Sequence, residues 1–344
     1  MAERRSGAVT LMDVAREAEV SLATASRALS GSTRRVRPDL HLRVLDAASK
    51  LSYSANAQAR AMVRGETTVV GLLVHDIADP YFSSIAAGVM RAAEGHGLLV
   101  TIASTERRPE RELEYVATLR SQRARALILV GSRDTDAVAL RALGVELAAF
   151  EAAGGRVAMI SQKRLPVDTV SMQNRAGAQA LARELVRRGH RDFAVLAGPA
   201  DLLTARDRLA GFRQGLAAAG VSLAPPCVIH GQFTRDGGYA ATSELLDAGA
   251  GVTCIFAVND VMAVGAMASM RDRKIRLPQR MAVAGFDDIV TLRDVTPSLT
   301  TVRMPLESVG ADALDLVMQP RADRARVHRV QGEVVMREST PFLT

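Results

Sequence analysis

The sequence is poor in cysteine and has no long hydrophobic segment. Its 344 residues include only two cysteines, Cys227 and Cys254, and no cluster of Cys and His at the spacing of metal ligands. A disulfide framework and a structural zinc site are not indicated, and no metal or cofactor is predicted. No stretch approaches the roughly 20 apolar residues of a membrane-spanning helix. Residues 1–18 lack the apolar segment of a secretory signal, so we expect a cytoplasmic protein with no membrane partner.

The positive charge is concentrated near the start of the chain. Residues 1–65 contain eleven Lys and Arg and six Asp and Glu, a net charge of +5, whereas the remaining residues contain 33 and 31. A basic unit therefore precedes a nearly neutral body that is long enough for further structural units. Basic patches attract nucleic-acid phosphates or acidic membranes, but a modest excess is also common on a solvated surface. The charge by itself gives weak support for nucleic-acid binding.

Residues 10–51 predict three short helices around a very small core. Thr10 begins a Thr-x-x-acid pattern that caps the first helix, and Ser21 caps a second helix that Gly31 ends. Such a helix pair with a short turn is typical of a helix-turn-helix. A third helix starts at Pro38. Its apolar residues Leu42, Leu45, Ala48 and Leu51 lie at spacings that roughly share one face. The residues that we expect to form the core are Val14, Ala18, Val20, Ala25, Leu29, Val44, Leu45 and Leu51.

The exposed face of the second helix carries hydroxyl groups and one arginine. Ser21, Thr24 and Ser26 can donate to DNA phosphates. Arg27 can reach the N7 and O6 acceptors of guanine. Any three-helix bundle contains a similar helix pair, so the helices do not decide the function. The exposed side chains favour DNA over a purely structural role.

From residue 68 onward, apolar runs alternate with amphipathic helical segments. The runs form two series, at 68–74, 98–104, 126–132 and 156–161, and at 193–198, 227–231, 253–258 and 281–286. Continuous apolar strands joined by helices predict parallel sheets covered on both faces. Two series of similar length predict an α/β core of two similar lobes. Because ligands bind at the carboxyl ends of strands in such sheets, we expect a cleft between the lobes.

Long motifs along the chain occur in an order known from one protein family. They are VTLMDVAREAEVSLATASRALSG, RVLDAASKLSYSANAQARAM, DPYFSSIAAGVMRAAEGHG, LVRRGHRDFAVLAGP, TARDRLAGF, AVNDVMAVGAM and VAGFDDIVTLRDVTPSLTTVR. With them the chain resembles the LacI/GalR (lactose-repressor) family of bacterial transcription regulators over essentially its whole length. The resemblance implies an all-α helix-turn-helix headpiece at 1–55, a hinge helix or linker at 56–66, and an α/β core of two parallel-sheet lobes, like periplasmic binding proteins, at 67–344.

The resemblance also implies a repressor rather than an enzyme. A homodimer would read a pseudo-palindromic operator in double-stranded DNA, and a small metabolite between the lobes would change its affinity. The sequence has no GxxxxGK[ST], GxSxG or HExxH motif that would indicate an enzyme. Two alternatives stay open: a regulator that depends on a co-repressor or a partner protein, and a solute-binding protein. A regulator of either kind implies a bacterial cytoplasmic protein that is associated with the nucleoid when it is bound to its operator. A solute-binding protein would require export.

The resemblance assigns DNA contacts to the second helix and to the hinge. The family's base-reading positions match Leu22, Ala23 and Arg27. NAQARAMVRG at 56–65 matches the hinge helix, whose inserted apolar side chain would be Met62, although a plain linker is the alternative. The predicted DNA-binding residues are Thr10, Ser21, Leu22, Ala23, Thr24, Ser26, Arg27, Asn56, Ala59, Arg60 and Met62.

The family's effector site lies between the lobes, and the matching positions carry suitable groups. Arg206 is a fork donor for hydroxyls or a carboxylate, Asn259 and Asp287 directly follow strands, and Phe233 could stack on a sugar or base. Gln173 stands where relatives often carry an acid, and Ser161 stands where a ligand-binding acid can occur, so the cleft around Arg206 is less anionic than in the usual sugar-responsive relative. A neutral sugar remains the favoured effector, with a sugar phosphate, a sugar acid and a purine as alternatives. The predicted effector-binding residues are Asp76, Tyr81, Phe82, Ser161, Arg206, Phe233, Asn259 and Asp287.

Overall fold

The computed structural model describes residues 9–30, 36–53 and 67–343. The chain divides between Thr68 and Val69 into two units. The N-terminal unit is all-α and the C-terminal unit is α/β. Within the described ranges, no helix has the length and apolar character needed to cross a membrane.

The N-terminal unit contains the three predicted helices. They are α1 (Leu11–Glu17), α2 (Leu22–Ser30) and α3 (Pro38–Lys50). The predicted cap of α1 is confirmed, because the Asp13 N–H donates to Thr10 Oγ1 at 3.4 Å and the Thr10 N–H donates to the Asp13 carboxylate at 3.0 Å. Val14, Ala25 and Val44 are fully buried between the helices. Small side chains such as Ala25 let the helices approach closely.

The inner face of α3 differs from the prediction. Leu42 and Leu45 are 66 % and 43 % exposed, whereas Val44, Ala47 and Ala48 are buried. The predicted burial is therefore confirmed for Val44 and wrong for Leu45, and the face shared by Leu42 and Leu45 does not pack inward. Apolar residues three and four apart fit two overlapping faces of this helix, and the face with the smaller side chains is the one that packs inward.

The first half of the C-terminal unit alternates strands with helices. Its elements are β1 (Val69–Val74), α4 (Pro80–Gly95), β2 (Leu99–Ser104), α5 (Pro109–Ser121), β3 (Ala126–Val130), α6 (Ala137–Ala152), β4 (Arg156–Ile160) and β5 (Asp168–Met172). β3 is buried along its whole length, as expected for a strand covered by helices on both faces of its sheet.

The second half continues this alternation and ends in short strands. Its elements are α7 (Asn174–Arg187), β6 (Phe193–Leu196), α8 (Leu203–Ala217), β7 (Val228–Ile229), α9 (Arg235–Asp247), β8 (Cys254–Ala257), α10 (Asp260–Asp272), β9 (Ala282–Ala284), β10 (Thr301–Arg303), α11 (Leu306–Met318), β11 (Val327–Val330) and β12 (Glu333–Val335). Two short 3-10 helices lie at Pro225–Cys227 and Val290–Asp294.

The strands form the two predicted parallel sheets, one in each lobe. The first lobe has the order β11-β5-β4-β3-β1-β2 and the second lobe has the order β7-β6-β8-β9. Each of the eight predicted apolar runs contains a strand. β5, β10, β11 and β12 were not predicted. After β10 the chain returns to the first lobe, where β11 pairs with β5. β12 then pairs antiparallel with β10.

Candidate functional site

Loops at the carboxyl ends of strands from both lobes line one cleft. The first lobe contributes the loops after β1, β2 and β3, and the second lobe contributes the start of α8 and the ends of β8 and β9. The cleft contains an inner recess of about 30 Å³ and an outer cavity of about 300 Å³. Four residues line both: His75, Arg107, Ser132 and Leu202.

The inner recess brings together five of the residues predicted to bind an effector. They are Tyr81, Phe82, Phe233, Asn259 and Asp287. Two of them come from the first lobe and three from the second, so the recess lies between the lobes. Their proximity agrees with the prediction, and ligand binding itself stays a prediction.

Arg206 requires a correction. It lies on the exposed surface of α8 and lines neither the recess nor the outer cavity. Arg208, two positions later, lines the recess and is 1 % exposed. Helix positions two apart point about 200° away from each other, so only one of these arginines can face the recess.

Asp76 and Ser161 also lie outside the lining of the recess and the outer cavity. Asp76 is exposed, and its carboxylate accepts a hydrogen bond from the Ala78 N–H at 2.9 Å within the turn that precedes α4. Asp79, at the N-cap of α4, lines the recess instead. Ser161 is buried beside the end of β4 and donates to Gln162 Oε1 at 3.4 Å. The turn and the strand end therefore direct both predicted groups away from the ligand space.

Arg208 and Asp287 form a buried bidentate ion pair at the base of the recess. Arg208 Nη2 donates to Asp287 Oδ1 at 2.7 Å, and Nη1 donates to Oδ2 at 3.1 Å. Arg208 also donates to Asn174 Oδ1 at 2.9 Å and to the Val258 carbonyl at 2.7 Å, and its guanidinium lies 3.9 Å from the ring centroid of Phe286. Burial raises the pKa of Asp287 to about 6, while Arg208 acts in the opposite direction. One Nη2–H of Arg208 remains available to a ligand.

His75 is a neutral side chain at the junction of the recess and the outer cavity. Burial lowers its pKa to about 3, and the positive charges of Arg133 and Arg107 act in the same direction. Nε2 lies 3.3 Å from the Ser132 carbonyl, so it carries the proton, and Nδ1 accepts from Thr105 Oγ1 at 3.2 Å. Both ring nitrogens are therefore engaged within the protein, and His75 acts as a wall of the site.

Aromatic rings and one carboxylate complete the recess. The rings of Tyr81 and Phe82 are perpendicular, with centroids 4.9 Å apart. Phe233 comes from the loop before α9 on the other lobe. Asp79 accepts from the Tyr81 N–H at 2.9 Å through Oδ1, and burial raises the pKa of this carboxyl. The recess therefore combines apolar faces with carboxylate and amide groups that can bind hydroxyls.

Hydrogen bonds connect the two lobes beside the recess. The Thr204 N–H, at the start of α8, donates to Ser132 Oγ at 3.0 Å, and the Leu203 N–H donates to the Arg133 carbonyl at 2.9 Å. Gln162 Nε2 donates to Thr204 Oγ1 at 2.8 Å. Two N–H groups in the first turn of α8 thus donate their hydrogen bonds to acceptors of the first lobe. The distance between the lobes therefore affects the geometry of the site.

Sequence reasoning did not identify several residues of the site. His75 directly follows β1, as Asn259 follows β8, so the strand-end rule could have found it. Arg208 lies within the motif TARDRLAGF, two residues from the predicted arginine. Arg107 carries no comparable signal, because neither a strand end nor a quoted motif contains it.

The predicted DNA-binding face of α2 lies on the surface of the N-terminal unit. Ser21 Oγ accepts from the Thr24 N–H at 3.1 Å, as predicted for a cap. Arg27 Nε donates to the Ala23 carbonyl at 2.9 Å, which directs the guanidinium along the helix. Thr24 is half-buried, and the exposed residues of this face are Ser21, Leu22, Ala23, Ser26 and Arg27.

The other predicted DNA contacts lie at the start of α1 and in the hinge. Thr10 is exposed, and its hydroxyl donates to the Asp13 carboxylate at 2.7 Å, so it also serves as the helix cap. The predicted end of α2 at Gly31 and the hinge residues lie outside the described residues. These hinge residues are Asn56, Ala59, Arg60 and Met62.

Asp260 joins separate segments beneath the recess. Its carboxylate accepts from Thr301 Oγ1 at 2.7 Å and from the Ile289 N–H at 3.0 Å. The side chain is fully buried. Burial raises its pKa to about 7, the nearby charge of Asp287 acts in the same direction, and the two hydrogen bonds oppose the shift.

We expect Asp260→Asn to remove a pH-dependent part of the stability. The folded-state pKa lies above the ordinary value of 3.8, so between about pH 4 and 7 the folded protein binds more protons than the unfolded chain. The wild-type free energy of unfolding should therefore fall relative to that of Asp260→Asn as the pH rises through this window. The slope is at most about 1.4 kcal/mol for each pH unit. Urea unfolding of both proteins at several pH values measures it, and parallel profiles would contradict the expectation.

Models of known families match both units. Residues 10–56 match the model described as bacterial regulatory proteins, lacI family. Residues 67–338 match the model described as periplasmic binding proteins and sugar binding domain of LacI family. Together the two matches include the helix-turn-helix and both lobes.

Similar proteins extend over nearly the whole chain. The chain is 30 % identical to the HTH-type transcriptional repressor CytR of Escherichia coli (strain K12), with 99 % of each chain covered. It is 32 % identical to the HTH-type transcriptional regulator GalR of the same strain, covering 90 % of this chain and 88 % of that protein. The solved lac repressor dimer bound to operator and the anti-inducer ONPF has a TM-score of 0.84 and 25 % identity, covering 97 % of this chain and 100 % of that one.

Proposed function

The chain belongs to the lacI family of bacterial regulatory proteins, and from this membership we propose how its two units act together as a transcription repressor. Like its relatives, the protein binds double-stranded DNA and a small-molecule effector. We assign DNA binding to the headpiece at 1–55 and to the hinge at 56–66. Effector binding belongs to the core at 67–344.

The exposed face of α2 is the observation that carries the DNA-binding assignment. Leu22 and Ala23 offer thymine methyl groups only apolar contact, so base discrimination rests on Arg27. Ser21 and Ser26 lie on the same exposed face, where their hydroxyls can donate to phosphates. The net positive charge of residues 1–65 adds a sequence-independent attraction to DNA.

A homodimer places two headpieces on one DNA site. Recognition helices of such dimers lie one or more DNA turns apart, which requires a pseudo-palindromic operator. We assign the minor-groove contact of the hinge to Met62, because methionine is among the apolar side chains that unstack a base step. Asn56, Ala59 and Arg60 complete the proposed hinge contact.

The inner recess supports a ligand with several hydroxyl groups. Asp79, Asn259 and the remaining N–H of Arg208 offer acceptors and donors, while Phe82 and Phe233 provide apolar faces. A ligand that binds one arrangement of the lobes more tightly shifts the protein toward that arrangement. By linkage, the same free energy appears as a change in operator affinity. Adding the effector to a DNA-binding assay gives the sign of this change.

We propose that the cleft releases its ligand chemically unchanged. Asp287 is held by Arg208, and both ring nitrogens of His75 are engaged within the protein. Neither residue is therefore placed as a general acid or base. A regulator of this kind acts in the cytoplasm and is associated with the nucleoid when it occupies its operator.

Selection of operators from a random duplex library tests the proposed function. The purified full-length protein is incubated with the library at about physiological salt, because low salt hides specificity under phosphate attraction. The bound DNA is then sequenced. We expect an enriched pseudo-palindrome. Uniform, salt-sensitive binding without an enriched sequence would contradict the role assigned to α2.

A further inference from the structure

The outer cavity contains an arginine without an anionic partner among the described residues. We propose that the effector carries an oxyanion group, a carboxylate or a phosphate, which Arg107 binds in the outer cavity while hydroxyl groups of the same molecule enter the inner recess. This assignment rests on the proposed function of the cleft as the effector site. It narrows the ligand from a general polyhydroxylated metabolite to one that is negatively charged.

The backbone holds Arg107 at the junction of the recess and the outer cavity. Arg107 lies between β2 and α5, where Glu106 and Arg107 have φ angles of 53° and 57°. Consecutive non-glycine residues in this region are unfavourable, so the surrounding structure must maintain the turn. The Thr105 N–H donates to the Val74 carbonyl and the Glu106 N–H donates to the His75 carbonyl, both at 2.9 Å. These bonds fix the turn against the end of β1.

The guanidinium of Arg107 is half-buried and, among the described residues, makes no hydrogen bond or ion pair. It lies over the ring of Phe233, with 5.9 Å between the guanidinium carbon and the ring centroid. Burial lowers the pKa of Arg107, while the carboxylates of Asp79 and Asp76 act in the opposite direction. A partly desolvated cation with unused donors is unfavourable. An oxyanion beside it would accept a bidentate pair of hydrogen bonds.

The other arginines of the outer cavity already have carboxylate partners. Arg133 donates to both oxygens of Glu112, at 2.8 and 3.0 Å. Arg108 pairs with Glu106 at 2.6 Å. The Nε–H of Arg133 is buried and has no acceptor in the described part of the chain, which leaves one further donor at this site. Arg107 is therefore the cation whose charge is available to a ligand.

Two acidic side chains, Asp134 and Asp201, also line the outer cavity. Asp201 is exposed, so water screens its charge. Asp134 accepts a hydrogen bond from the Asp136 N–H at 2.9 Å, which engages its carboxylate in the turn before α6. Neither residue lines the recess, whereas Arg107 does. Arg107 is therefore the cation that a ligand oxyanion can reach at the junction of the two spaces, and the Asp79 carboxylate is the nearby opposite charge.

The volumes of the two spaces divide the ligand into two parts. The recess of about 30 Å³ holds about two or three hydroxyl-sized groups, because one water needs roughly 10–15 Å³ by this measure. A sugar ring therefore lies largely in the outer cavity of about 300 Å³, a volume within the range of small-molecule sites. A charged substituent on that ring is then close to Arg107, while ring hydroxyls reach the recess.

Matched sugars test the proposal on the full-length protein. Thermal unfolding is followed with D-glucose, D-glucuronate and D-glucose 6-phosphate, then with D-ribose and D-ribose 5-phosphate, and with inorganic phosphate as a separate sample. We expect a charged sugar to raise the unfolding temperature more than its neutral counterpart. Calorimetric titration should show that it binds roughly tenfold more tightly or better. The glucuronate and phosphate samples distinguish the two sources of the oxyanion.

Arg107→Gln tests whether Arg107 is the residue that binds the oxyanion. Arg213→Gln, on the exposed surface of α8, is the matched control. The preference for the charged sugar should disappear in the first variant and persist in the second. The proposal would be overturned if charged and neutral sugars bound equally, or if Arg107→Gln left the binding of the charged sugar unchanged. It would also be overturned if inorganic phosphate had the same effect as the charged sugar, or if none of the compounds bound. Operator selection on the same preparations separates this failure from that of the proposed function, which fails only if no operator is enriched.

Discussion

Arg208→Met is expected to lower the free energy of unfolding by about 3–5 kcal/mol at neutral pH. The substitution removes one partner of a buried bidentate pair and leaves the carboxyl group of Asp287, which is 4 % exposed, without its guanidinium. It also leaves the carbonyl of Val258 and the amide oxygen of Asn174 without the donors they have in the wild type. Methionine approximates the length of the arginine stem, so the loss reflects the unpaired polar groups more than an empty volume.

Urea unfolding measures this effect, and the chain supplies its own control. Arg206→Met, two residues away on the exposed surface of α8, should change the free energy of unfolding by less than about 0.5 kcal/mol. The double variant Arg208→Met/Asp287→Leu removes the unpaired charge and should recover part of the loss. If the Arg208 and Arg206 variants are equally stable, the buried pair does not have the role assigned to it.

The pH dependence distinguishes an unpaired charge from a packing defect. Burial already raises the pKa of Asp287 to about 6 in the wild type, and removal of Arg208 should raise it further. The carboxyl group of the variant is then neutral near pH 5, so the destabilisation should be smaller there than near pH 8. A packing defect would give the same loss at both pH values.

Arg27→Ala is expected to cost about 1–3 kcal/mol of discrimination at one position of each operator half-site. Arg27 is the exposed arginine of α2, and its neighbours Leu22 and Ala23 have no hydrogen-bonding groups in their side chains. Fluorescence anisotropy with the selected operator and with single-base variants measures the loss. Wild-type protein should reject the altered base, and the variant should bind both sequences about equally.

The contrast between base reading and phosphate attraction makes this prediction specific. A residue that contacts only phosphates would weaken binding to all sequences uniformly when it is replaced. Arg27→Lys retains the positive charge but loses the planar fork of donors. It should therefore preserve most of the salt dependence and lose much of the discrimination. A uniform loss of affinity in Arg27→Ala would place base reading elsewhere.

Apolar runs made the framework of this protein predictable. The strands of both sheets are short apolar segments, most of them buried, and this continuous hydrophobicity marked all eight predicted positions, including the exposed or half-buried β2 and β7. β10, β11 and β12 escaped prediction because each of these three- or four-residue strands contains polar or charged residues and therefore forms no continuous apolar run. Their partners lie far away in the sequence, and local pattern does not report such pairing.

Side-chain direction was the part that the sequence left undecided. Arg206 and Arg208 lie within one turn of α8, and this helix has polar as well as apolar residues on several sides. The sequence pattern therefore does not fix the rotation of the helix about its axis, and that rotation decides which arginine faces the recess. The predicted burial of Leu45 in α3 was wrong for the same reason. The position of Arg107 depends on two left-handed residues, neither of them glycine. Hydrogen bonds to the end of β1 hold this backbone shape, and the residue types do not indicate it.

The ratio of affinities for the selected operator and for a scrambled duplex of the same composition tests the central claim most directly. Anisotropy titrations of the wild-type protein at about physiological salt provide both dissociation constants. A sequence-specific repressor should prefer its operator by at least about 10³-fold, and insertion of half a helical turn between the half-sites should remove most of that preference. A ratio near one, with both affinities falling equally as salt increases, would show that the protein reads only phosphates and would contradict the account.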